Sequence, residues 1–187
     1  MARCAVRQLG VTLAEMLVVA ALLALAAAVT LPNANPLTVV TNDLTTSDVI
    51  RAIRFAQREA VRTSAWYTVR IDATAQTLRV YRLTTSGSVT EDTSFIVLNP
   101  LDKRKYDVAF GGASGPARAR VTAVDFDYED GNNNLNTLSF GPDGTPALLN
   151  SFKNGDVKAL QHSLVTVSYG RQLRTLAVDT VTGRVSG

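Results

Sequence analysis

The sequence predicts an α+β protein, with a long N-terminal apolar helix followed by a mostly antiparallel β head. Three observations predict it. Residues 11–31 form a run of 21 residues with one charge, Glu15. Apolar residues then recur at helical spacing over about 47–64. Beyond Ala65 the apolar period changes from 3.6 to two, the signature of half-buried strands.

The chain has 187 residues, 46% of them apolar, which suits one domain with an appendage. Its formal net charge is +3. Without residues 1–10, which carry Arg3 and Arg7 and no acid, 17 bases face 16 acids and the net falls to +1. That balance argues against a general nucleic-acid binder. Cys4 is the single cysteine, which excludes an internal disulfide and a cysteine-based metal site. Cys4 also precedes the apolar run, whereas a lipoprotein cysteine would follow it. The lone His162 sits among polar and apolar residues near an expected strand start and reads as a structural or surface histidine.

A helix over 11–32 rises about 30 Å, the thickness of a bilayer's hydrocarbon core. Pro32 breaks it, and Pro36 follows. Arg3 and Arg7 precede the run and no base follows until Arg51, so the N-terminus stays cytoplasmic and the rest is exported. A cleaved secretory signal would use the small residues Ala26–Ala28. A plain single-span anchor would have no use for an acid. Glu15 costs roughly 2.5–3.5 kcal/mol in a bilayer and demands a function or a partner.

The basic leader and Gly10-Val11-Thr12-Leu13-Ala14-Glu15, followed by an apolar helix, resemble the signal of type IV pilins and type II secretion pseudopilins. The usual pattern is Gly-Phe-Thr-Leu-Ile-Glu. The match lies at Gly10, Thr12, Leu13, Glu15 and Leu17, with departures at Val11 and Ala14. The resemblance implies that prepilin peptidase cuts between Gly10 and Val11, and that the new amine of Val11 is methylated. Residues 1–10 would then be a leader and 11–32 a transmembrane and filament-core helix. Glu15, with Thr12 and Leu13 beside it, would serve assembly by pairing with the N-terminal amine of a neighbouring subunit.

Residues 33–46 read as a junction, and 47–187 as the exported head. A helix is expected over Ser47–Ser64, capped by Thr46 or Ser47, with Ile50, Ile53, Ala56 and Ala60 on its apolar stripe. Arg51, Arg54, Arg58 and Arg62 form a basic stripe on the same helix. A solvated helix face is the simpler reading, and a phosphate or partner contact the sharper one. Trp66–Ile71 and Thr77–Tyr81 suggest a hairpin around residues 72–76. Further strands are expected at Phe95–Leu98, Tyr106–Phe110, Arg120–Tyr128, Thr137–Phe140, Leu164–Tyr169 and Leu173–Val178. Residues 111–116 read as a loop and 170–172 as a hairpin turn.

The order of motifs resembles the GspH/FimT branch. A helix carrying Ala56-Gln57-Arg58-Glu59-Ala60-Val61-Arg62 precedes a hairpin. A late strand ends in Phe140-Gly141-Pro142-Asp143-Gly144, and Gly183-Arg184 stands near the end. The resemblance implies a β-sandwich-like periplasmic head on a single-pass inner-membrane helix, working as a structural minor pilin or pseudopilin of a type II secretion system or type IV pilus. Its partners would be prepilin peptidase, other pilin or pseudopilin subunits and the inner membrane. Some FimT-like subunits bind DNA through Gly-Arg-x-Arg. Here Ser186 replaces the second arginine, so DNA is a lesser alternative, with Arg171 and Arg174 able to add charge only if they share a face with the stripe.

No nucleophile, base and orienting group cluster along the chain, so no catalytic residue and no cofactor are expected. Asp125, Asp127 and Glu129, running into Asp130-Gly131-Asn132, suggest a calcium loop but miss the EF-hand spacing, and no metal site is assigned. An ordinary exported protein with one membrane anchor remains the alternative to the filament subunit.

Overall fold

The computed structural model describes residues 13–30, 36–84, 89–110, 119–151, 156–169 and 171–187. The chain divides into two compact units, Met1–Pro36 and Leu37–Gly187. In the first unit the described element is α1 (Leu13–Thr30), with Glu15 as the acid of its first turn. Leucine- and alanine-rich sequence with few β-branched residues favours this helix. Side chains of α1 are described as far as Ala24, and all of them are exposed. Among the described residues no helix is long and apolar enough to cross a membrane. The transmembrane part of the expected fold class is therefore unsupported by these residues. Gly10, Val11, Thr12 and Pro32 lie outside the described residues.

In the second unit a single apolar core joins one helix to two antiparallel sheets, which is the α+β arrangement that the change of period predicts. The helix, α2, spans Pro36–Thr63. It begins well before the expected Ser47, so much of the junction assigned to 33–46 is helical, and neither Thr46 nor Ser47 caps it. Pro36 occupies the first helical position, where its missing N–H costs nothing. The β-branched Thr38-Val39-Val40-Thr41 stretch that follows hides the helix from a propensity reading. Thr45 and Thr46 are buried within it, and Thr45 Oγ1 donates to Ala119 O at 3.4 Å. Val49, Ala52, Ile53, Ala56 and Ala60 are fully buried. Three alanines on that face let the helix axis approach the sheets closely.

The first sheet is ordered β3-β2-β1-β6, from β1 (Tyr67–Asp72), β2 (Thr77–Arg82), β3 (Asp107–Ala109) and β6 (Thr137–Phe140). The second is ordered β10-β9-β8-β4-β5, with β7 pairing β8. Its strands are β4 (Arg120–Tyr128), β5 (Asn132–Leu135), β7 (Ala147–Ser151), β8 (Asp156–Tyr169), β9 (Gln172–Val178) and β10 (Val185–Ser186). Every pairing is antiparallel. Phe95–Leu98, expected as a strand, forms none. It makes one isolated bridge, Leu98 to Lys105, and only Val97 of the four is buried.

Side chains stitch the two sheets. Gln76, at the β1–β2 turn, behaves like a strand edge: its Nε2 donates to Val121 O at 2.7 Å and its Oε1 accepts from Val121 N at 3.1 Å. Tyr128 on β4 donates its hydroxyl to Thr137 O at 3.0 Å on β6. Burial raises the Tyr128 pKa well above the ordinary phenol value, so the hydroxyl remains a donor at any physiological pH.

Candidate functional site

Three segments far apart in sequence meet on the C-terminal half of α2. Gln57 is the hub. Its Nε2 donates to Gly144 O at 2.9 Å and to Thr182 O at 2.7 Å. One amide thus ties down both the turn after β6 and the turn after β9. Each turn is set by an aspartate. Asp143 Oδ1 accepts from Thr145 N at 3.1 Å and Thr145 Oγ1 at 2.8 Å. Asp179 Oδ1 accepts from Thr182 N and Thr182 Oγ1, both at 2.7 Å. Hydrogen bonding by these threonines holds both carboxyls below the ordinary value of 3.8.

The two glycines of these turns sit in the left-handed region and touch α2. Gly144 has φ +82°, and a Cβ there would lie 2.8 Å from Val61 Cγ2. Gly183 has φ +67°, and a Cβ there would lie 2.7 Å from Gln57 Nε2 and 2.9 Å from Phe140 Cε1. Conformation and space both demand glycine at these positions. Ala56–Arg62, Phe140–Gly144 and Gly183-Arg184, separate motifs in the sequence, are therefore parts of one junction. The glycine after the turn aspartate and the glycine before Arg184 are legible in the sequence. Gln57 as their common partner is not.

Two depressions flank this junction. A cleft of about 470 Å³ is lined by Gln57, Arg58, Val61, Arg62, the 143–145 turn and the 181–182 turn. Val61 and Val181 are exposed within it. A second, about 620 Å³, is lined by Ser47, Ile50, Arg51, Arg54, Gln57 and Arg58.

The arginines of α2 are all exposed, and two of them are partly neutralised within the helix. Arg51 pairs with Asp48 at 3.1 Å, and Arg62 with Glu59 at 2.6 Å. Its Glu59 hydrogen bond raises the Arg62 pKa further. Such exposed pairs add little to stability, because water and salt screen them. Arg58 Nε donates to Arg54 O at 3.2 Å, and neither Arg54 nor Arg58 forms an ion pair with an acid among the described residues. Gly183 packs on Gln57, which brings the start of Arg184 to the same stretch of helix as Arg54 and Arg58. Arg171 and Arg174 are exposed at the beginning of β9, and about 13 Å of strand separates Arg174 from Val178. Of the five arginines named from sequence beyond Arg51 and Arg62, Arg54 and Arg58 lie within one turn of Gln57 on α2, and Arg184 directly follows Gly183, which packs on Gln57.

Of the acidic stretch considered for calcium, Asp127, Glu129 and Asp130 have protein partners, and Asp125 Oδ1 is buried without one. Lys158 Nζ pairs with Asp130 and with Asp156, the latter at 3.0 Å. Asp127 Oδ1 accepts from Asn134 N at 2.8 Å, and Glu129 Oε2 from Ala159 N at 3.3 Å. A lysine already supplies the cation there. His162 is exposed in mid-strand on β8, opposite Asp127, rather than at a strand start.

No protein family, curated protein or solved structure matches the chain.

Proposed function

We propose that the protein is a structural minor pilin or pseudopilin: an inner-membrane precursor cut after Gly10 and built into a periplasmic filament of a type II secretion system or type IV pilus. The observation that carries this reading is α1. Its side chains Leu13, Met16, Leu17, Val18, Leu22 and Leu23 are more than half exposed, and one acid interrupts them in the first turn. Contiguous exposed apolar surface on that scale implies a lipid or protein environment that covers it. A filament bundle offers both in succession, and it gives Glu15 a partner in the amine that cleavage creates on Val11 of a neighbouring subunit. The head carries no catalytic work in this reading and presents a partner surface. N-terminal sequencing of the mature chain tests it. A start at Val11 supports the filament subunit; a start near Ala28 or beyond, or an unprocessed chain, sinks it.

A second reading, DNA capture by the head, is favoured by one arrangement: Arg54, Arg58 and the Gly183-Arg184 segment meet at Gln57. Three cations that engage phosphates would give binding with a log–log salt slope of about −3. Duplex binding at low salt that disappears in Arg54→Ser/Arg58→Ser would support it, and absence of binding at low salt disposes of it.

A further inference from the structure

We infer that the loop Phe95–Lys105 is a preformed tip that inserts into the surface of an anionic lipid bilayer. Ile96 is 62% exposed and Leu101 68%, with Phe95 and Leu98 also exposed beside them. Every side chain from Pro100 to Lys105 is exposed, so the turn protrudes. It is nevertheless well ordered. Asn99 N donates to Arg104 O at 2.8 Å, Lys103 N to Asn99 O at 2.9 Å and Tyr106 N to Val97 O at 2.8 Å. Buried Val97 and Tyr106 root it in the core, and Arg82 lies 3.9 Å over the Phe95 ring. Little ordering entropy remains to be lost on docking, which favours a surface built for contact.

Charge selects the occupant. Lys103 and Arg104 flank the apolar side chains and form no ion pair among the described residues. Lys105 is shared with Glu91 at 3.7 Å, and Asp102 turns one carboxylate oxygen to Arg104 N at 3.2 Å. The tip is net positive even with Asp102 counted. Phe95, Ile96, Leu98, Pro100 and Lys103 line one side of a depression against α2, and Leu101 and Arg104 lie outside it. Exposed aliphatic side chains beside unpaired cations suit a soft anionic interface, into which aliphatic side chains sink while lysine and arginine stay at headgroup level. The inference uses only head residues, so it survives failure of the filament reading.

The test uses the full chain reconstituted in vesicles, with Cys4→Ser and a polarity-sensitive fluorophore on Leu101→Cys. The reference is the same label on Leu173→Cys, which is equally exposed on β9. With brominated acyl chains in phosphatidylglycerol-containing vesicles, quenching at 101 should exceed that at 173 at least about twofold. Lys103→Glu/Arg104→Glu, or phosphatidylcholine alone, should remove most of the difference. Equal quenching at the two sites overturns the proposal. So does a blue shift at 101 without lipid quenching, which would mean that protein covers the tip.

Discussion

Gln57 shows how one neutral side chain can organise a site that charge patterns do not reveal. Its amide reaches carbonyls 87 and 125 residues away, so no local spacing announces it. Gln57→Ala leaves Gly144 O and Thr182 O without that donor and should destabilise the head by about 1–3 kcal/mol, read by denaturant unfolding. Gly183→Ala adds a left-handed alanine, costing about 1–2 kcal/mol, to the 2.7 Å clash with Gln57. The two changes share an atom pair and should not add. In the double variant the clash with the amide disappears while that with Phe140 remains, so the combined loss should fall short of the sum by about 1 kcal/mol. Strict additivity would mean that Gly183 and Gln57 do not meet as described.

At the scale of elements, the two turns clamped by Gln57 share one titratable design. Asp143 and Asp179 both have folded-state pKa values below their ordinary 3.8. A depressed carboxyl contributes stability that is fully present above the ordinary value and is lost as pH falls through the folded one. The amide resonances of Thr145 and Thr182 should therefore hold steady down to about pH 4 and move together below it. Midpoints at or above the ordinary carboxylate range would remove the aspartates from this role. The 142–144 turn was legible, because Pro-Asp-Gly is a short-range signal, whereas the Asp179 turn carries no such signal. Strands β4 and β6 were legible too and lie at the expected bounds. Strand β8 was half legible for a definite reason. Asp127 pairs with His162 and Tyr128 with Leu160, so Gln161 is an extra residue that places two exposed side chains in succession. That bulge breaks the period of two just before Leu164, where the expected strand began. Strand β10, two residues long, is too short to show a period. Phe95–Leu98 misled in the opposite direction, because consecutive apolar residues can serve an exposed tip as well as a buried strand.

For the whole molecule, the consequence of two compact units is that substitutions should separate by unit. Gln57→Ala should lower the stability of the head without touching the proposed processing at Gly10, because residues 1–36 belong to the other unit. Glu15→Ala should do the reverse. Removing the acid spares the Gly10–Val11 bond, so the mature chain should still begin at Val11 in N-terminal sequencing, and the head should unfold at the parent denaturant concentration. Assembly should fail. In a low-dielectric bundle, loss of one partner of an ion pair strands the other charge at a cost of roughly 3–5 kcal/mol. A cost of that size per subunit exceeds what featureless apolar contacts along α1 can restore by sliding. Glu15→Gln should assemble poorly for the same reason, since an amide keeps the shape and loses the charge. Glu15→Asp should recover part of the incorporation, with a shorter reach to the amine. The measurement is the amount of protein in sheared filaments relative to the membrane pool. Glu15→Ala filaments at the parent level would sink the register role of Glu15 while leaving cleavage and membrane anchoring to stand or fall on the N-terminal sequence alone.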